Sequence, residues 1–182
     1  MSLLQKAAAK ALLSHLVWFD ILATVSCSSG PFLGVNHAYL LDSDIICMTA
    51  VCGCENWVVK ALCAITDLQR WKRQAQIEKN LCIIQLAARA GGLQESLTSE
   101  IARHSSGEID NALNHADGFG NVVSECVSDI GNKITLMFAR AALVYLHVVV
   151  SGPNPHLPEI DTTVKQSIEP LKALAGKGLI DL

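Results

Sequence analysis

Apolar residues recur at three- and four-residue intervals along almost the whole chain, and no stretch keeps the strict alternation of a half-buried strand. The pattern predicts an all-α fold, a multi-helix bundle of about five to seven helices, with long N-terminal, central and C-terminal-half helices. The first helix is expected over about Leu3–Val25, with Ser2 and Gln5 placed to form a capping box. Its stripe of Leu12, Leu13, Leu16, Phe19, Leu22 and Ala23 is expected to face the core. The two glycines and one proline of SCSSGPFLG end that helix. Asp42, Ser43 or Asp44 can then cap a short helix over Ile45–Val51.

Gly53 breaks the chain again and puts Cys54–Glu55 at the head of the next helix, where the dipole favours a carboxylate. Trp57, Val58, Ala61, Leu62, Ile65, Leu68 and Trp71 carry its register. The register runs on to Ala90, as one helix or as two with a kink near Gln74–Lys79, and Gly91–Gly92 is expected to end it. Leu93–His115 is the most polar stretch and reads as surface helix, interrupted at Ser105–Gly107, with His104 and His115 in solvent. Phe119–Val150 reads as a helix of roughly 45 Å. Its most apolar part, Ile134–Val150, is short for a membrane span and carries Arg140 and His147, so a buried core helix is expected. SGPNPHLP stops it, and a last helix follows over about Asp161–Leu174, with Pro170 as a point where it can bend.

Composition narrows the picture. A chain of 182 residues suggests a single all-helical domain, 1–182. It is 51% hydrophobic and only 17% charged, which calls for a complete core, a ligand cavity or a partner. The net charge of −3 argues against an exposed nucleic-acid surface. No signal-peptide pattern opens the chain, and its seven cysteines lack a disulfide framework. Reduced thiols and a cytoplasmic location are expected.

Three blocks carry a family likeness. HLVWFDILATVSCSSGPFL, GCENWVVKALCAITDLQRWK and FARAALVYLHVVVSGPNPHLPEI together resemble the fungal-specific transcription factor domain, the helical regulatory part of fungal zinc-cluster activators. The resemblance implies an all-helical regulatory fold. The paired C-x-x-C spacings of the family's zinc cluster are absent: Cys52 and Cys54 form C-x-C, and no basic segment precedes the helices. The chain thus looks like the C-terminal portion of that domain standing alone. DNA binding is not carried over, and the location would be nuclear only on a regulatory reading. Short stand-alone chains of this sort also resemble the cyclases thought to close an α-pyrone ring in aurovertin-type polyketide pathways.

That second likeness frames the candidate chemistry. Closing an α-pyrone needs an enol oxygen to attack a thioester or acid carbonyl, with a base for the enol proton and donors for the oxyanion. The candidate bases are Asp20, Glu55, His37 and His147, and the substrate-binding candidates are Trp18, Trp57, Arg140 and Tyr145. No metal or other cofactor is required. The expected function is therefore a polyketide cyclase acting on a linear polyketide, free or carried on a carrier protein, as a homodimer without nucleic-acid or membrane partners. The alternative is a non-catalytic ligand-sensing or dimerising regulatory domain. Asp20 and Glu55 each lie in apolar helical sequence, where an unpaired carboxylate is costly. At least one buried arginine–carboxylate pair among Asp20, Glu55 and Arg140 is expected.

Overall fold

The computed structural model describes residues 2–27, 30–43, 45–106 and 121–175. Every regular element among them is a helix: α1 (Leu3–Cys27), α2 (His37–Asp42), α3 (Thr49–Cys52), α4 (Asn56–Ile77), α5 (Ile83–Ser105), α6 (Asn121–Ser151) and α7 (Pro158–Ala175). They belong to two compact units, Met1–Leu93 and Gln94–Leu182.

In the first unit α1 packs against α3 and α4, and α2 packs on α4. The capping box at the start of α1 is present: the Gln5 amide donates to Ser2 Oγ at 3.3 Å, and the Ser2 amide donates to Gln5 Oε1 at 2.9 Å. The face that α1 buries is not the expected one. Ser14, Val17, Asp20, Ile21 and Thr24 point inward. Leu12 and Phe19 are each 63% exposed, and Leu16 and Leu22 also face outward. Ser14 and Thr24 tolerate burial because their hydroxyls donate to carbonyls one turn back, Lys10 O at 2.9 Å and Asp20 O at 2.7 Å.

The short helix α3 starts later than the sequence suggested, and its N-cap, Met48, makes no side-chain capping bond. The connecting segment is tied instead by Asn56 at the head of α4. Asn56 Nδ2 donates to Leu41 O and Ile46 O, both at 2.9 Å, and its Oδ1 accepts from the Met48 amide at 2.9 Å. Gly53 ends α3 in the left-handed region, with φ 78°. The long central pattern divides into α4 and α5, with Lys79 at φ 57° in the break between them. Arg89 of α5 stacks over the Trp71 ring, 4.4 Å from its centroid.

Gly91–Gly92 does not end a helix. Neither glycine has a positive φ, and α5 runs through both to Ser105. In the second unit the far end of α5 carries His104, which is 2% exposed rather than solvated. Its Nε2 accepts from Arg103 at 3.0 Å, which assigns the proton to Nδ1, and Nδ1 donates to Asn132 Oδ1 at 3.2 Å. Asn132 Nδ2 returns a bond to His104 O at 3.1 Å, so one asparagine of α6 fastens the end of α5. The remainder of the polar stretch, with His115, lies outside the described residues.

α6 packs along α7 and buries Thr135, Ala139, Ala142, Leu146 and Val149, at steps of three and four residues. That is the spacing of a helix with one core-facing stripe. By length and composition Leu3–Cys27 and Ile130–Ser151 both resemble membrane spans, a property that soluble core helices share. Pro158 opens α7, and Glu159 and Asp161 in its first turn suit the helix dipole.

Candidate functional site

The best-defined polar site lies in the first unit, where α1, the loop after it and α2 converge. Asp20 is 5% exposed. Its Oδ1 accepts from the Phe32 amide at 2.8 Å, and its Oδ2 accepts from the Leu33 amide at 3.3 Å and from His37 Nε2 at 2.8 Å. A carboxylate only accepts, so Nε2 carries the proton. These three donors meet the cost of burying the group. They also pin the Gly- and Pro-containing loop to the side of α1. Asn36 sets the rotation of α2 by accepting the Tyr39 amide at 3.1 Å, and His37 follows in the first turn.

Beside this junction is a half-open cleft of about 480 Å3. Ile21 and Val25 of α1, Val35 and His37 of the loop and α2, and Thr66 and Arg70 of α4 contribute to its walls. Arg70 Nη2 donates to Asp67 Oδ1 at 2.5 Å, while its Nε is buried with no hydrogen-bond partner among the described residues. Cys63, in the same wall, is a neutral surface: burial, with the Asp67 charge adding to it, pushes its thiol up to about 12. Walls that mix apolar side chains with an imidazole, hydroxyls and the Asp67–Arg70 pair suit reversible binding of a small molecule with polar groups. Among the described residues no group of three or more His, Cys, Asp or Glu side chains could hold a metal ion.

Of the eight residues singled out from the sequence, the structure joins Asp20 and His37. Trp18, on α1, and Trp57, in the first turn of α4, are each half-buried. Glu55 is the N-cap of α4, but its side chain makes no capping bond there. Arg140, Tyr145 and His147 lie on α6 in the second unit, each half-buried. Arg140 Nη1 donates to Gln166 O at 3.2 Å and so links α6 to α7. An arginine–carboxylate pair was expected among Asp20, Glu55 and Arg140; Asp20 instead meets an imidazole and two backbone amides, and Arg140 meets a backbone carbonyl. Sequence reasoning missed Asn56, Asn132 and Arg70. Each works through a partner eight or more residues away or through a cavity wall, which periodicity does not register.

A family described as the fungal specific transcription factor domain matches residues 1–181. The trichothecene biosynthesis transcription regulator of Trichoderma arundinaceum is 32% identical over 171 residues, covering 91% of this chain and 35% of the relative. The regulator of the same name from Fusarium sporotrichioides is 32% identical over 163 residues, covering 88% of this chain and 34% of the relative. A transcription factor of a Nectria species is 25% identical over 177 residues, covering 94% and 29%. The chain therefore spans about a third of the length of these relatives. No solved structure matches it.

These likenesses overturn the cyclase reading. Relatives that match nine-tenths of the chain are named as transcription regulators, not as enzymes. The roles of base for Asp20, Glu55, His37 and His147, and the polyketide substrate that went with them, are withdrawn. For Asp20 the geometry gives a physical reason as well, since both carboxylate oxygens are already engaged by structural donors. The exclusion of nucleic acid as a partner falls with the same finding, because net charge speaks only for the surface of these residues. A cytoplasmic location has no support in these names. The chain belongs to the fungal specific transcription factor domain family.

Proposed function

We propose that this chain is a non-catalytic helical regulatory module that controls transcription of a secondary-metabolite gene cluster, and that it works in the nucleus. The observation that carries this reading is the match of 91% of the chain, at 32% identity, to a regulator named for trichothecene biosynthesis. Its partners on this reading are DNA, reached directly or through another regulator, and the transcription apparatus. The cleft between α1, α2 and α4 gives the module a place to read a small molecule: it is large enough for one, and His37, Thr66, Asp67 and Arg70 set polar groups among its apolar side chains.

The test is to disrupt the gene in its own host and sequence total RNA. A coordinated change of severalfold or more in a contiguous set of biosynthetic genes is expected. Unchanged transcripts, with one biosynthetic intermediate accumulating, would overturn the regulatory reading.

A further inference from the structure

The turn between α3 and α4 holds two thiols against each other. Cys52 is the last residue of α3, Gly53 turns the chain through the left-handed region, and Cys54 follows immediately. The two sulfurs are 3.2 Å apart. We propose that Cys52 and Cys54 are a modification site: a dithiol that a low-molecular-weight disulfide, such as oxidised glutathione, converts reversibly into a Cys52–Cys54 disulfide.

The geometry divides the labour between the two sulfurs. Cys52 is half-buried and can be reached by a small molecule, whereas Cys54 is fully buried. As a thiol, Cys52 donates to Met48 O at 3.4 Å; as a thiolate, it accepts from the Cys54 thiol beside it. That second bond lowers the Cys52 thiol to about 7, against the opposing effect of burial. Cys54 is pushed up by the same hydrogen bond, by burial and by the neighbouring negative charge. One sulfur is thus the attacking group and its neighbour the resolving group. Cys63 is raised to about 12 by burial and is not a competitor.

The backbone holds the pair in place. The Cys52 amide donates to Met48 O at 2.9 Å and the Gly53 amide to Thr49 O at 3.1 Å, while Asn56 holds the Met48 amide from the other side. A disulfide needs the sulfurs to close to about 2.05 Å, which asks for side-chain rotation within a turn already folded.

The chemistry balances. The Cys52 thiolate attacks one sulfur of the small disulfide and forms a mixed disulfide, expelling one thiolate. Cys54 gives up its proton, and its sulfur displaces the second small thiolate from Cys52. The two protons lost by the cysteines end on the two expelled thiolates. The protein dithiol is oxidised by two electrons, and the small disulfide is reduced to two thiols.

The test uses the 182-residue chain with exposed Cys27 and Cys47 replaced by serine, so that the tryptic peptide between Lys10 and Lys60 contains only Cys52 and Cys54. After incubation with oxidised glutathione and alkylation, that peptide is expected to carry no alkyl label and no glutathione, and to accept two labels after reduction. Adding Cys54→Ser should leave glutathione retained on Cys52. In folded chain at pH 7, Cys52 should alkylate about threefold faster than in chain unfolded by urea, since its larger thiolate fraction outweighs its weaker nucleophilicity. Two labels before reduction, or glutathione persisting on Cys52 with Cys54 intact, would overturn the proposal. If the Cys54→Ser chain does not fold, peptide mapping with both cysteines present decides the matter alone. This outcome does not depend on the transcriptional reading.

Discussion

In each unit a buried histidine makes a fastening, and the two fastenings differ in kind. In the first unit His37 donates to a buried carboxylate that also collects two backbone amides. In the second, His104 donates to a neutral side-chain amide, and Asn132 returns a bond to the backbone. The carboxylate is the more committed arrangement. Asp20 and His37 are buried together and have no water to fall back on, and the carboxylate is tolerated only while its donors are present. The amide pair is cheaper to desolvate and cheaper to lose. A buried histidine alone therefore says little about how much depends on it; the partner's charge decides.

Substitutions can break this comparison in order of effect. Asp20→Ala leaves the buried His37 imidazole and two loop amides without their acceptor and should cost about 3–5 kcal/mol. In urea titrations that is a large part of a domain's whole stability, and it should lower the melting temperature of the first unit by about 12–40 °C. Asn132→Ala removes two bonds of ordinary strength and should cost about 1–3 kcal/mol, seen in the unfolding of the second unit. If the two losses prove equal, the carboxylate is not the stronger fastening. Phe19→Gln, on the outward face of α1, should change stability by less than about 0.5 kcal/mol in the same titration. A large loss there would mean that the exposed stripe is covered in solution.

Helix existence was legible, because it follows from local rules. The Ser2–Gln5 box and the stop at Gly53 depend on residues within four positions of one another, while α7 begins at Pro158, three residues before its expected start. The orientation of α1 was not. Its apolar stripe of Leu12, Leu16 and Phe19 is the better amphipathic signal, yet the helix turns inward the face that holds Asp20. The deciding contacts come from Phe32, Leu33 and His37, in a segment with no periodicity to read. Gly91–Gly92 misled for a related reason: a glycine pair ends a helix only where the chain turns through positive φ, and here both stay helical. His104 was read from its polar neighbours in sequence, whereas Asn132, 28 positions away, sets its environment. Of the site, the Asp20–His37 pair contained two residues visible as candidates, but not their joint role as a brace.

The fastenings of the first unit also have a consequence in time. Those of Asp20 reach 12, 13 and 17 residues along the chain, those of Asn56 reach 8, 10 and 15, and the Lys60–Asp42 ion pair spans 18. Loops of about ten residues close in roughly 10–100 ns, while a ribosome adds about 5–20 residues per second. Each clasp can thus form almost as soon as its second partner leaves the exit tunnel. The N-terminal half can assemble from neighbour to neighbour before α6 and α7 have been translated, which spares its apolar surface a long wait in the open.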